Sequence, residues 1–136
     1  MESKKITSRV AINSMLVLIL AVVIFHLSVM AKIIPYGIIW GGRLKSEQEM
    51  YVFETISVFI NLFLGFALLM KAGYIKSYLR QNIINIILWI FLVLFILNTI
   101  GNFFAKTNFE KLFAVVTIIF AILIGFILKS KTISTK

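Results

Sequence analysis

VAINSMLVLILAVVIFHLSVMA, residues 10–31, holds 22 consecutive positions without a lysine, arginine, aspartate or glutamate. As a helix rising 1.5 Å per residue, such a run is about 33 Å long, enough to cross a hydrocarbon core about 30 Å thick. Lys4, Lys5 and Arg9 precede it and Val29-Met30-Ala31 close it, a layout shared with cleavable secretory signals. The apolar region of such signals is only about 7–15 residues, so the run is read as a retained membrane span.

The rest of the chain follows the same pattern. Of its 136 residues, 61% are hydrophobic and 14% charged, and the mean hydropathy is +1.05. Soluble domains carry about 45–50% apolar and about 25% charged residues. Further spans are expected at about 47–70, 83–104 and 112–128. The connections are short, so consecutive helices must be antiparallel neighbours. The expected fold class is an all-α integral membrane protein, four antiparallel transmembrane helices in a small bundle forming one domain over 1–136.

Local signals set the ends of the second span. Ser46-Glu47-Gln48-Glu49 has capping-box spacing, in which the serine hydroxyl accepts from the Glu49 amide and the Glu49 carboxylate reaches back to the serine amide. Lys71-Ala72-Gly73 supplies a cation for the negative end of the helix dipole and a glycine for the reversal.

Orientation follows from the basic residues. Lys4, Lys5, Arg9, Lys71, Lys76, Arg80, Lys129, Lys131 and Lys136 fall on one side, with Glu2. Lys32, Arg43, Lys45, Lys106 and Lys111 fall on the other, beside Glu47, Glu49, Glu54 and Glu110. The positive-inside rule puts both termini in the cytoplasm, the membrane being read as a bacterial cytoplasmic membrane. The net charge of +9 is thereby assigned to topology and lipid headgroups, and no nucleic-acid partner is expected.

Residues 34–49, IPYGIIWGGRLKSEQE, then form the first outer loop. Tyr36 and Trp40 suit headgroup depth, and Ile33, Ile34, Ile38 and Ile39 are too apolar for water, so the loop lies along the interface or tucks over the helix ends. Irregular backbone at that depth must be buried in protein or face a wet cavity. One reading is an interfacial anchor. The sharper one is a lid over a polar pocket, with Arg43 paired to Glu54 beneath it.

The polar residues inside the spans favour a pocket. Glu54, Ser57, Asn61 and Gly65 make one stripe of the second helix, with Glu47 a heptad above Glu54. Asn98 and Asn102 lie one turn apart on the third helix, and His26 lies at similar depth on the first. Helix four, with only Thr117 and Gly125, is expected to supply a wall. Singly, each of these residues also suits interhelical hydrogen bonding. Together they nominate Arg43, Glu47, Glu54, Asn61, Asn98, Asn102, His26 and Trp40 as ligand-binding residues.

Several chemistries drop out. The chain has no cysteine, which removes disulfides and thiol catalysis, and one histidine with no aspartate gives little from which to build a metal cage. No metal or cofactor is expected. There is no phosphate-binding glycine loop, HExxH, GxSxG or kinase signature. Three functions stay open: a non-enzymatic module binding a lipid-like or amphipathic ligand or a partner helix, a lipid enzyme using Glu54 and His26 as acid and base, and an oligomeric channel or small transporter. Membrane lipids, a further copy of the chain or another membrane protein are the expected partners.

Overall fold

The computed structural model describes residues 2–130, with side chains from Ser8 onward. It contains four long helices, α1 (Glu2–Met30), α2 (Glu47–Ala72), α3 (Gln81–Phe103) and α4 (Asn108–Lys129). All four are long and apolar enough to span a membrane. Lys131 and Lys136, part of the orientation argument, lie outside the described residues, as do the side chains of Glu2, Lys4 and Lys5.

The helices pack as two antiparallel hairpins, α1 with α2 and α3 with α4, joined through α1–α4 and α2–α3 contacts. At one end, Ser130 donates to Ser8 at 2.9 Å, tying the end of α4 to α1. At the other, α1 and α2 meet through His26 and Glu54. Between these ends runs a packed core that includes Ile12, Met15, Leu68, Ile84, Leu88, Ile124 and Ile127. Val17, Phe59, Leu62, Phe63, Trp89, Leu97 and Ile122 are exposed around the outside, the inversion expected when the solvent is lipid.

The helix ends follow the local chemistry. The Glu49 amide donates to Ser46 Oγ at 3.2 Å, but the Glu49 carboxylate accepts from the Lys45 amide at 2.8 Å, one residue earlier than the capping box predicts. Gly73 closes α2 in the left-handed conformation, with its amide on Met70 O and the Tyr74 amide on Leu69 O. Helix α4 starts four residues before the expected boundary at 112. Thr107 caps it, accepting from the Glu110 amide at 3.2 Å and donating to Glu110 Oε2 at 2.9 Å. The run 107–110, Thr-x-x-Glu, is therefore a second helix start of the kind seen at Ser46-x-x-Glu49, one that charge counting hid.

Lys71 departs from its expected role at the headgroups. Its side chain is buried, and its ammonium donates to Asn85 Oδ1 on α3 at 2.7 Å. The cation ties the two hairpins together instead of reaching lipid.

Candidate functional site

The first loop folds back over the bundle. Two short 3₁₀ turns, Tyr36–Ile38 and Trp40–Gly42, bring Ile39 into a small second core with Val29 and Met50. Of the two expected arrangements, the loop thus takes the one that tucks over the helix ends. Burying Ile39 fixes the position of its neighbour, and Trp40 enters the left-handed region at φ +53, followed by Gly41 at +70 and Gly42 at +65. A non-glycine residue there costs about 1–3 kcal/mol and persists only where the surroundings hold it.

Here the surroundings are two carboxylates. Trp40 Nε1–H donates to Glu54 Oε1 at 2.8 Å. The next residue, Gly41, donates its backbone N–H to Glu110 Oε1. Two consecutive residues are thereby fixed to α2 and α4, one helix of each hairpin. The lid is clasped on both sides.

Glu54 is completely buried, seven residues into α2 and so about 10 Å from that helix's start. Its second oxygen, Oε2, lies 2.6 Å from His26 Nδ1 on α1, a short hydrogen bond. Phe25 packs edge-on to the His26 ring, with centroids 5.5 Å apart. Glu54 is therefore held from three directions, by its own helix, the histidine and the indole.

Beneath the clasp lies a cavity of about 330 Å³. His26, Trp40, Glu54, Asn61, Asn98 and Asn102 line it, which brings together six of the eight residues nominated from sequence. Ser57, Glu110 and Thr117 complete the polar lining, and Phe25, Phe91, Phe95, Phe109, Phe113 and Phe120 supply aromatic walls. The Asn61 amide donates to Ser57 O at 2.8 Å within α2. The side chains of Asn98 and Asn102 bond to no other described residue. Trp40, Ile60, Leu94 and Asn98 are the exposed members of this wall, so the cavity opens beside the loop between α2 and α3.

Two nominated residues lie elsewhere. Arg43 does not pair with Glu54: it is exposed, and its side chain folds back along Gly41. Both Glu54 oxygens are already engaged by His26 and Trp40, which leaves the guanidinium no place beneath the loop. Glu47 is at the surface and accepts from Lys32 Nζ at 2.7 Å. This hydrogen bond holds the Lys32 ammonium above its usual range.

Sequence reasoning missed two contributors on α4. Glu110 was counted with the outer loop, yet it is buried, and its Thr107 cap was the available signal. Thr117 is more than wall. Its hydroxyl meets that of Thr99 on α3 at 2.8 Å, while Thr99 also reaches Phe95 O at 2.7 Å and Thr117 reaches Phe113 O at 2.9 Å. Of the two hydroxyl protons, one can serve the partner and the other a helix carbonyl.

No family model, curated protein or solved structure matches the chain. The site is read from its own chemistry.

Proposed function

We propose that this protein is a non-enzymatic membrane module that binds a small amphipathic molecule, with the polar head in the clasped cavity and the apolar part leaving between α2 and α3. The observation that carries this reading is the cavity, roofed by a loop bonded to two buried carboxylates and lined by asparagine side chains free to engage a guest. Its volume of about 330 Å³ lies at the small end of ligand pockets, which run from about 300 to 1,000 Å³. That suits a head group better than a whole lipid.

The opening faces the direction from which a bilayer-dissolved molecule arrives. Below Asn61 and Phe120 the bundle closes into the apolar core around Leu68, Leu88 and Ile124. A blind pocket of this kind favours binding over conduction, because a permeation path needs polar groups or water throughout its length.

The cavity is assigned to the outer leaflet of a bacterial cytoplasmic membrane, with both termini inside, on the distribution of lysine and arginine. Single cysteines test this cleanly in a chain that has none. A cysteine replacing Lys45 should react with an impermeant maleimide in intact cells, and one replacing Tyr78 only after permeabilisation. The reverse pattern would invert the assignment.

Binding is tested by mass spectrometry of small molecules retained through purification in mild detergent, comparing wild type with Asn98→Leu and Asn102→Leu. A defined amphiphile kept by wild type and lost from the variants supports the reading. Identical bulk phospholipids in all three overturn it.

A further inference from the structure

Resting on that reading, we infer that the head group of the occupant is a protonated amine. The cavity has two carboxylates in its lining and no lysine or arginine. Every oxygen of the pair lies within hydrogen-bond distance of another group: Glu54 of Trp40 and His26, Glu110 of Gly41 and Thr107. The indole N–H of Trp40 and the backbone N–H of Gly41 can only donate, so one oxygen of each carboxyl group is fixed as an acceptor. His26 is the one basic side chain in the lining, against two carboxyl groups.

An anionic head placed here faces two carboxyl groups in a weakly screened site, with His26 the one basic group beside it. A neutral head finds the asparagine amides but gains nothing from the two carboxyl groups as charges. A substituted ammonium finds three kinds of partner. The carboxyl groups of Glu54 and Glu110 attract it from the cavity wall, through space and without needing a free oxygen. The amide oxygens of Asn98 and Asn102 are free to accept N–H donors. Around them stand aromatic faces, among which Phe25 and Phe113 lie 4.9 Å apart, and a cation within about 6 Å of a ring centroid is attracted by its quadrupole.

Cations of this class have two sources, the amine of a phospholipid head group and a lipophilic amine without phosphate. The phosphate of the first would bring its own negative charge toward Glu54 and Glu110. The second carries no such charge, and the structure assigns the site to it.

The test uses a matched series in the full-length protein in phosphatidylcholine nanodiscs: decylamine, decanol and decyl phosphate, which share a chain and differ in head charge. The chain has two tryptophans, and Trp89 faces outward on α3, so Trp89→Phe leaves Trp40 as a reporter bonded to the site. Saturable change in Trp40 emission is expected for decylamine, with affinity at least about ten-fold above that for decanol and no saturation by decyl phosphate. Glu54→Gln and Glu110→Gln, each checked for unaltered elution in size exclusion, should each weaken decylamine by about ten-fold or more.

Equal affinity for decanol and decylamine would overturn the charge assignment and leave the pocket standing. Saturation by decyl phosphate would do the same. No saturable response to any of the three would remove the pocket reading itself. Phosphatidylethanolamine competing as well as decylamine would keep the ammonium chemistry and overturn the assignment to an amine without phosphate.

Discussion

Trp40 and Glu54 lie 14 residues apart in sequence and are joined by an indole N–H donated to a completely buried carboxylate oxygen at 2.8 Å. The indole crosses from a strained loop to the interior of α2, and the next backbone amide crosses to α4. The loop and the cavity are therefore one unit. Weakening either donor should loosen the lid and expose the pocket together.

Trp40→Phe isolates the donor. The ring contact with Phe53, 5.1 Å between centroids, can survive, but Glu54 Oε1 loses its partner. An unsatisfied buried acceptor costs about 1–3 kcal/mol, more when charged. Thermal unfolding in detergent should report a loss in that range, and proteolysis should accelerate within the 31–46 loop while α3 and α4 stay protected. An unchanged midpoint would mean that the indole only decorates the surface.

The His26–Glu54 contact predicts strong coupling. Removing one partner of a buried pair costs about 3–5 kcal/mol because the other is left unpaired, whereas removing both is milder. A double-mutant cycle of His26→Leu and Glu54→Leu should thus give a double variant more stable than the sum of the single losses, with a coupling of about 1–3 kcal/mol. Strict additivity would show that the two groups do not sense one another.

Much of this was legible beforehand, for identifiable reasons. An uncharged run of span length has one economical fate, so residues 10–31 announced the membrane. The stripe of Glu54, Ser57 and Asn61 announced an inward face because polar groups avoid lipid. The partners of the carboxylates were not legible. Arg43 is a cation in the loop beside Glu54's helix, and charge alone favours it; the actual donors include an indole and a backbone amide, selected by the left-handed turn at 40–42. Glu110 was misread for a related reason. Near a helix start, a glutamate serves equally as a solvated cap or as a buried acceptor, and only the arrival of Gly41 decides between them.

The left-handed turn makes its own prediction. Gly41 has open space apart from the flexible Arg43 side chain, so Gly41→Ala tests conformation more than bulk. At φ +70 an alanine costs about 1–2 kcal/mol, and the amide bond to Glu110 should weaken with it. Gly125→Ala serves as contrast, since it sits in α4 with open space around it, and it should raise stability by about 0.5–1 kcal/mol. Opposite shifts in unfolding midpoint are expected, and a loss in both variants would place the effect in helix packing instead of loop geometry.

At the opposite end of the bundle, the buried Lys71 ammonium and Asn85 make a polar link between hairpins. Lys71→Met leaves the Asn85 oxygen without its donor and should cost about 1–3 kcal/mol. Adding Asn85→Leu removes the orphan, and because apolar replacement of a buried polar pair is often nearly neutral, the double variant should recover most of the loss. If Lys71 instead served anionic lipid, Lys71→Met would lower affinity for phosphatidylglycerol relative to phosphatidylcholine, and Asn85→Leu would rescue nothing. The inward course of the side chain predicts the first pattern, a stability defect repaired from α3 with lipid preference unchanged.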